Sequence, residues 1–265
     1  MKMPEGMVID QRATMGSNVT QIAVQHNGMQ PQEACQLALN LFMDNFPKLQ
    51  QIAADTARER ADEFCKTTIA KLQHANVRDY SAFSDPDVQY VLFDAQKDYA
   101  RFGTKQMLGT LTDLIANRVT NNDDFILKVT IDKAISVASM LTPQQLDFLS
   151  LLFLCTRVNH THIKTLEQLE THLNRLCSIF AVNPADVNFS YLNMLGCLQI
   201  ALPKPIKVFA QTYNLSEVDV ERICPQQIKS LATDYGISTV GTMLAITNAE
   251  QKTSFAFDPH IWIHD

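Results

Sequence analysis

The clearest alternation of apolar and polar positions lies between Asp85 and Arg118, and it predicts two helices joined at Phe102-Gly103-Thr104. Val88, Leu92, Ala95, Tyr99 and Phe102 recur at the three- and four-residue steps that put side chains on one helical face. Gln89, Asp94, Lys97, Asp98 and Arg101 fall on the other face, and Leu108, Leu111, Leu114 and Ile115 repeat the apolar pattern in the second helix. The pair is expected at the centre of the fold. Its polar Gln89, Asp98 and Arg101 are candidate interface residues, holding the pair in register or meeting a neighbouring subunit.

The same periodicity organises the flanks. Pro31 opens a helix with Leu37, Leu41 and Phe42 on its apolar side, and Pro47 is expected to kink or restart it before it continues towards His74. Along that helix Leu49 and Ile52 give way to Ala53, Ala57 and Ala61, then to Phe64, Ile69 and Leu72. Asp55, Arg58, Glu59, Arg60, Asp62 and Glu63 read as a solvated face with local ion pairs. Asn121 to Asp124 is expected to end the central pair and cap the next helix, which carries Ile131, Ile135 and Ala138.

Thr142-Pro143-Gln144-Gln145 has the residues of a capping box with proline at the first helical position. The nearly continuous apolar run to Cys155 predicts a buried helix central to the second half. An amphipathic helix at Leu166, Leu169, Leu173 and Leu176 follows, then a shorter one over 186–195 and a strand over 197–202. Pro203, Pro205 and Pro225 punctuate a connection to a last helix within 230–248, and Trp262 is expected to anchor the C-terminus if buried.

Residues 1–30 differ in kind. Val19, Gln21, Ile22 and Val24 belong to a β-prone strip bracketed by Gly16-Ser17-Asn18 and His26-Asn27-Gly28. This stretch is a flexible leader or a strand that pairs with this chain or its copies, so those four residues are candidate assembly positions. The expected class is mainly α: a leader over 1–30, a helical domain over 31–140, and a winged-helix-like helical domain over 141–265.

Composition narrows the function. An apolar share of 46% suffices for a core, and a net charge of −6 argues against a general electrostatic grip on nucleic acid. The six cysteines lack CxxC spacing, several lie inside apolar helical patterns where a free thiol behaves as a small core residue, and a reducing, cytoplasmic setting fits them best. No signal-peptide pattern opens the chain, and the run from Phe148 to Cys155 is too short to span a bilayer.

Several motifs spread over most of the chain carry a resemblance. They include Asn45-Phe46-Pro47-Lys48-Leu49, Asp85-Pro86-Asp87-Val88-Gln89, Leu141 to Leu146, Leu195-Gly196-Cys197, Ser238-Thr239-Val240-Gly241 and Ile261-Trp262-Ile263. In this order they resemble a bacterial helical family akin to the abortive-infection alpha group. The resemblance implies a mainly α fold with a winged-helix-like second half and a role in antiphage defence.

No set of catalytic residues accompanies the helical pattern, and no catalytic, cofactor or metal residue is expected. No Walker, dinucleotide, GxSxG or HExxH motif occurs. The leading expectation is therefore a non-enzymatic protein that assembles with itself or a protein partner. Two alternatives stand beside it. His160, His162 and His172 could supply imidazoles to a metal-dependent hydrolase or nuclease, with Cys155 or Cys177 beside His160 as a thiol variant. A winged-helix regulator would read DNA through residues 186–195, but these include no lysine or arginine.

Overall fold

The computed structural model describes residues 31–121, 123–200, 205–231 and 235–263. The β-prone strip with Val19, Gln21, Ile22 and Val24 lies outside them. The chain divides into two compact units, residues 1–52 and 53–265. Among the described residues the fold is mainly helical with two short strands, and no helix is long and apolar enough to cross a membrane.

Helix α1, Pro31–His74, is continuous through Pro47, so proline does not start a new helix there. Proline removes one N–H and crowds one preceding carbonyl, while the other bonds of the flanking turns are still available to hold the helix. In the first unit α1 leaves Leu37, Leu39, Met43, Leu49 and Ile52 exposed. In the second unit its Phe64, Thr68 and Leu72 are buried.

The central pair forms as its pattern predicts. Helix α2, Pro86–Phe102, is capped by the Asp85 carboxylate and buries Val88, Val91, Ala95 and Tyr99. It ends at Gly103 with φ of 64°, the left-handed conformation that glycine adopts without a Cβ penalty. Phe102, assigned to the apolar face by spacing, is exposed. Helix α3, Lys105–Thr120, starts at the Thr104 cap and buries Leu111, Leu114 and Ile115.

Two charges of the expected solvated face have other work. Arg60 donates from Nη1 to the carbonyls of Ala100 at 2.8 Å and Arg101 at 3.2 Å, satisfying acceptors that the end of α2 leaves open. Glu63 accepts the Tyr99 hydroxyl at 2.5 Å. Burial, with the Glu63 bond second, pushes the Tyr99 hydroxyl up to about 12. Local pairs such as Lys66 with Asp62 at 2.5 Å occur as expected.

Helix α4, Phe125–Ala138, is capped by Asp124. Arg118 of α3 is wholly buried, giving Nε to Asp132 of α4 at 2.8 Å and Nη2 to Asp87 of α2 at 2.6 Å. Lys128 also reaches Asp87 at 2.6 Å, and its hydrogen bond is the main cause holding that carboxyl below its usual range. Asp132 is instead raised, because its burial outweighs the Arg118 bond.

Helix α5, Pro143–Thr156, opens with the full Thr142–Gln145 capping box and is buried from Gln145 to Cys155. Helices α6, Leu166–Ile179, and α7, Phe189–Met194, follow. Strand β1, Leu198–Ile200, pairs antiparallel with β2, Tyr235–Ile237, in the register Leu198 to Ile237. Between them lie α8, Pro205–Tyr213, α9, Glu217–Ile223, and α10, Gln226–Lys229. The last helix expected within 230–248 is α11, Thr239–Lys252, which follows β2, is capped by Ser238 and runs on to Lys252.

Helix α11 is buried from Gly241 to Ala249 and packs on α3, α4 and α5, elements from both sides of residue 140. The core runs from Phe64 to Ile263. Helix α12, Pro259–Ile263, brings the half-buried Trp262 edge-on to Phe153 with ring centres 5.2 Å apart.

Gly241 is where α11 meets the turn before β1. Ser238 donates to the carbonyls of Gly196 and Cys197, and a Cβ at 241 would stand 2.0 Å from the Cys197 oxygen. Gly241→Ala is therefore expected to cost about 1–3 kcal/mol through backbone displacement, read as a lower urea midpoint. An unchanged midpoint would show that α11 does not sit this close to β1.

Candidate functional site

The chain leaves α5 at Thr156, turns through 157–165, and enters α6 at the Thr165 cap. That turn is pinned from inside. The His160 amide donates to the Tyr213 hydroxyl at 3.1 Å, and its ring Nε2 lies 3.3 Å from the Leu154 carbonyl. The tautomer protonated at Nε2 donates to that carbonyl and leaves Nδ1 as an acceptor.

Helix α6 turns His172 onto the same spot. Its ring centre is 4.1 Å from that of His160 and 5.3 Å from that of His162, while His160 and His162 are 5.9 Å apart. His172 is only 8% exposed, and its Nε2 has no hydrogen-bond partner. Burial lowers His160, and burial together with the charges of His160, His162 and Arg175 brings His172 down to about 4. Both rings are consequently neutral near pH 7.

The three histidines of the metal alternative are thus brought together, but as a cluster of tilted and edge-on rings. Among the described residues no group of three histidine, cysteine, aspartate or glutamate side chains has the geometry to hold a metal ion. The thiol variant is unsupported for a different reason. Cys155 is buried, which pushes its thiol well above the usual range, and burial pushes Cys177 up to about 11, so both are protonated where a nucleophile would have to be thiolate.

Beside the cluster, His162, His172, Arg175, Lys252, Ser254 and Phe255 surround a cavity of about 400 Å³, with Leu176 and Ile179 on its apolar side. A second hollow shares His162, His172 and Arg175 and is lined as well by Thr165, Glu167 and Thr171. Lys252 also binds Asp147 of α5 at 2.5 Å. Sequence reasoning missed Arg175, Lys252 and Phe255. Arg175 stands three residues after His172 on α6, a helical step that could have linked them, whereas Lys252 and Phe255 come from the end of α11 and the segment after it, and no local spacing connects them to the histidines.

The candidate interface residues sit elsewhere. Gln89 donates to the Phe83 carbonyl at 2.9 Å, and Asp98 accepts the Ser139 hydroxyl at 2.6 Å, tying α2 to the end of α4. Arg101 is exposed, its guanidinium 4.8 Å from the centre of the Phe102 ring.

The cluster makes stability pH-dependent. His172 titrates near 4 in the folded protein and near the ordinary 6.5 when unfolded, so the unfolded chain takes up the proton first as pH falls. The stability from the neutral ring is complete above pH 6.5 and is lost as pH drops towards 4. Urea midpoints should fall across that window, and His172→Gln should flatten the fall. An equal slope in the variant would remove His172 as its source.

A family model for proteins of unknown function matches residues 28–237, most of the chain. No curated protein and no solved structure matches. On the span of the family match, the chain belongs to that family of proteins of unknown function.

Proposed function

We propose that this chain is a non-enzymatic protein that assembles with copies of itself through the first half of α1. The carrying observation is the exposure of Leu37, Leu39, Met43, Leu49 and Ile52 on one helix. At 100° per residue these side chains, with Leu41 and Phe46, spread over a broad arc, whereas Gln36, Asn40 and Gln51 gather on a narrow strip. Gln36 and Asn40 bond each other along that strip at 3.0 Å. A helix with so wide an apolar arc is stable in water when another surface covers it.

A second copy fits the chemistry of this segment. Residues 31–52 contain only Glu33, Asp44 and Lys48 as charged side chains, so identical helices meet little like-charge repulsion. The β-prone strip with Val19, Gln21, Ile22 and Val24 adds a further pairing segment to this proposal. A cytoplasmic antiphage role belongs to the proposal as well, and it is supported by the motif resemblance alone.

Within 141–265, the winged-helix-like reading is supported by the succession of α5, α7 and the antiparallel β1–β2 pair. Residues 186–195 lack lysine and arginine, which favours a structural or protein-binding role for this unit over DNA reading.

Leu37→Asp combined with Leu49→Asp should reduce the mass in solution to that of the single chain. Both positions are exposed, so the urea midpoint measured in dilute protein should move by less than about 0.5 kcal/mol equivalent. An oligomer that survives both charges, or a wild-type chain that is monomeric at every concentration tried, would contradict self-assembly through α1.

A further inference from the structure

We infer that the cavity beside the histidine cluster binds a small organic anion, a carboxylate or phosphate head group carrying an apolar body, between α6 and the segment following α11. This inference uses none of the side chains on which the assembly proposal rests.

Three observations carry it. The first is an unused buried atom: His172 Nε2 faces no partner although the residue is only 8% exposed. A buried polar nitrogen left unsatisfied is destabilising, and a turn of the ring that brings this shielded atom to the cavity surface lets a bound oxygen satisfy it. In the tautomer protonated at Nε2, that nitrogen donates to an anion, and no proton has to be added to the ring.

The second is the sign of the charge. Arg175 and Lys252 both line the cavity, and no carboxylate does. Lys252 is engaged by Asp147 at 2.5 Å, but among the described residues the Arg175 guanidinium has no ion-pair partner. Its positive charge is felt at His172, where it helps to hold the ring neutral. A divalent cation would meet these same positive groups, and the three imidazoles do not converge in a metal-holding geometry. The electrostatics therefore select an anion over a metal.

The third is the apolar part of the lining. Leu176, Ile179 and Phe255 supply apolar surface in a cavity of about 400 Å³, room for more than an inorganic ion. A guanidinium, imidazole N–H groups and apolar side chains lining one cavity fit a head group with an apolar body.

The test follows histidine and phenylalanine side-chain NMR signals of the labelled full chain during titration with phenyl phosphate, phenylacetate, benzyl alcohol and zinc chloride. Saturable shifts of His172 and Phe255 are expected with at least one of the two anions, and the better of them identifies the head group. Benzyl alcohol should bind at least about tenfold more weakly. Because Arg175 is exposed, Arg175→Gln should keep the fold and weaken the anion about tenfold. The inference is overturned if neither anion saturates below about 10 mM, if benzyl alcohol binds equally well, or if Arg175→Gln changes nothing. Zinc shifting all three histidines while both anions fail would overturn it in favour of a metal.

Discussion

The Asp147 carboxylate is the fixed point between the two helices at the centre of this protein. It accepts Asn248 Nδ2 at 3.0 Å and Lys252 Nζ at 2.5 Å, both from α11. Asn248 also donates to Ser150 at 2.8 Å and accepts from Gln106 of α3 at 3.2 Å, while Ser150 reaches the Ala245 carbonyl at 3.1 Å. Apolar packing between α5 and α11 is non-directional and would tolerate a slide of one helix along the other. A buried polar network does not tolerate it, because each group that loses its partner is left unsatisfied in a low-dielectric interior. These bonds set the register, and the register sets both ends of α11.

At the first end, the register presses Gly241 against the Cys197 carbonyl and brings β2 alongside β1. At the other it delivers Lys252, Ser254 and Phe255 to the cavity, whose remaining lining is His162, which follows α5, and one face of α6. Two walls of the cavity are thus continuations of two helices fastened to each other. The chemistry collected there is suited to holding a ligand: the neutral His172 imidazole, an exposed guanidinium and an aromatic ring. The protonated thiols of Cys155 and Cys177 supply no nucleophile to go with them.

What the sequence made legible is what local chemistry decides. The α2–α3 joint at Gly103, the Asp124 cap, the Thr142–Gln145 capping box and the apolar run of α5 each depend on residues a few positions apart. Long-range partners were hidden for the same reason. Arg60 looks like any solvated arginine until the end of α2 arrives beside it, and Glu63 until Tyr99 does. Helix α11 mixes Thr242, Thr247 and Asn248 into its buried stretch, so its burial could not be read from an apolar run. His160, His162 and His172 were visible as a group and Arg175 follows His172 by one helical step, but Lys252 and Phe255 come from elements remote in the chain.

Helix α1 presents the opposite case, a pattern that is plain in the sequence and whose first half leaves large apolar side chains exposed. Its first half carries enough apolar surface to need cover, and few enough charges to accept a copy of itself. Backbone hydrogen exchange of the full chain, at a dilute and a concentrated setting, tests this most directly. Self-assembly through α1 predicts that amides of residues 31–52 become protected as concentration rises, while those of α5 and α11 stay protected at both. Equal exchange over 31–52 at the two concentrations would contradict it.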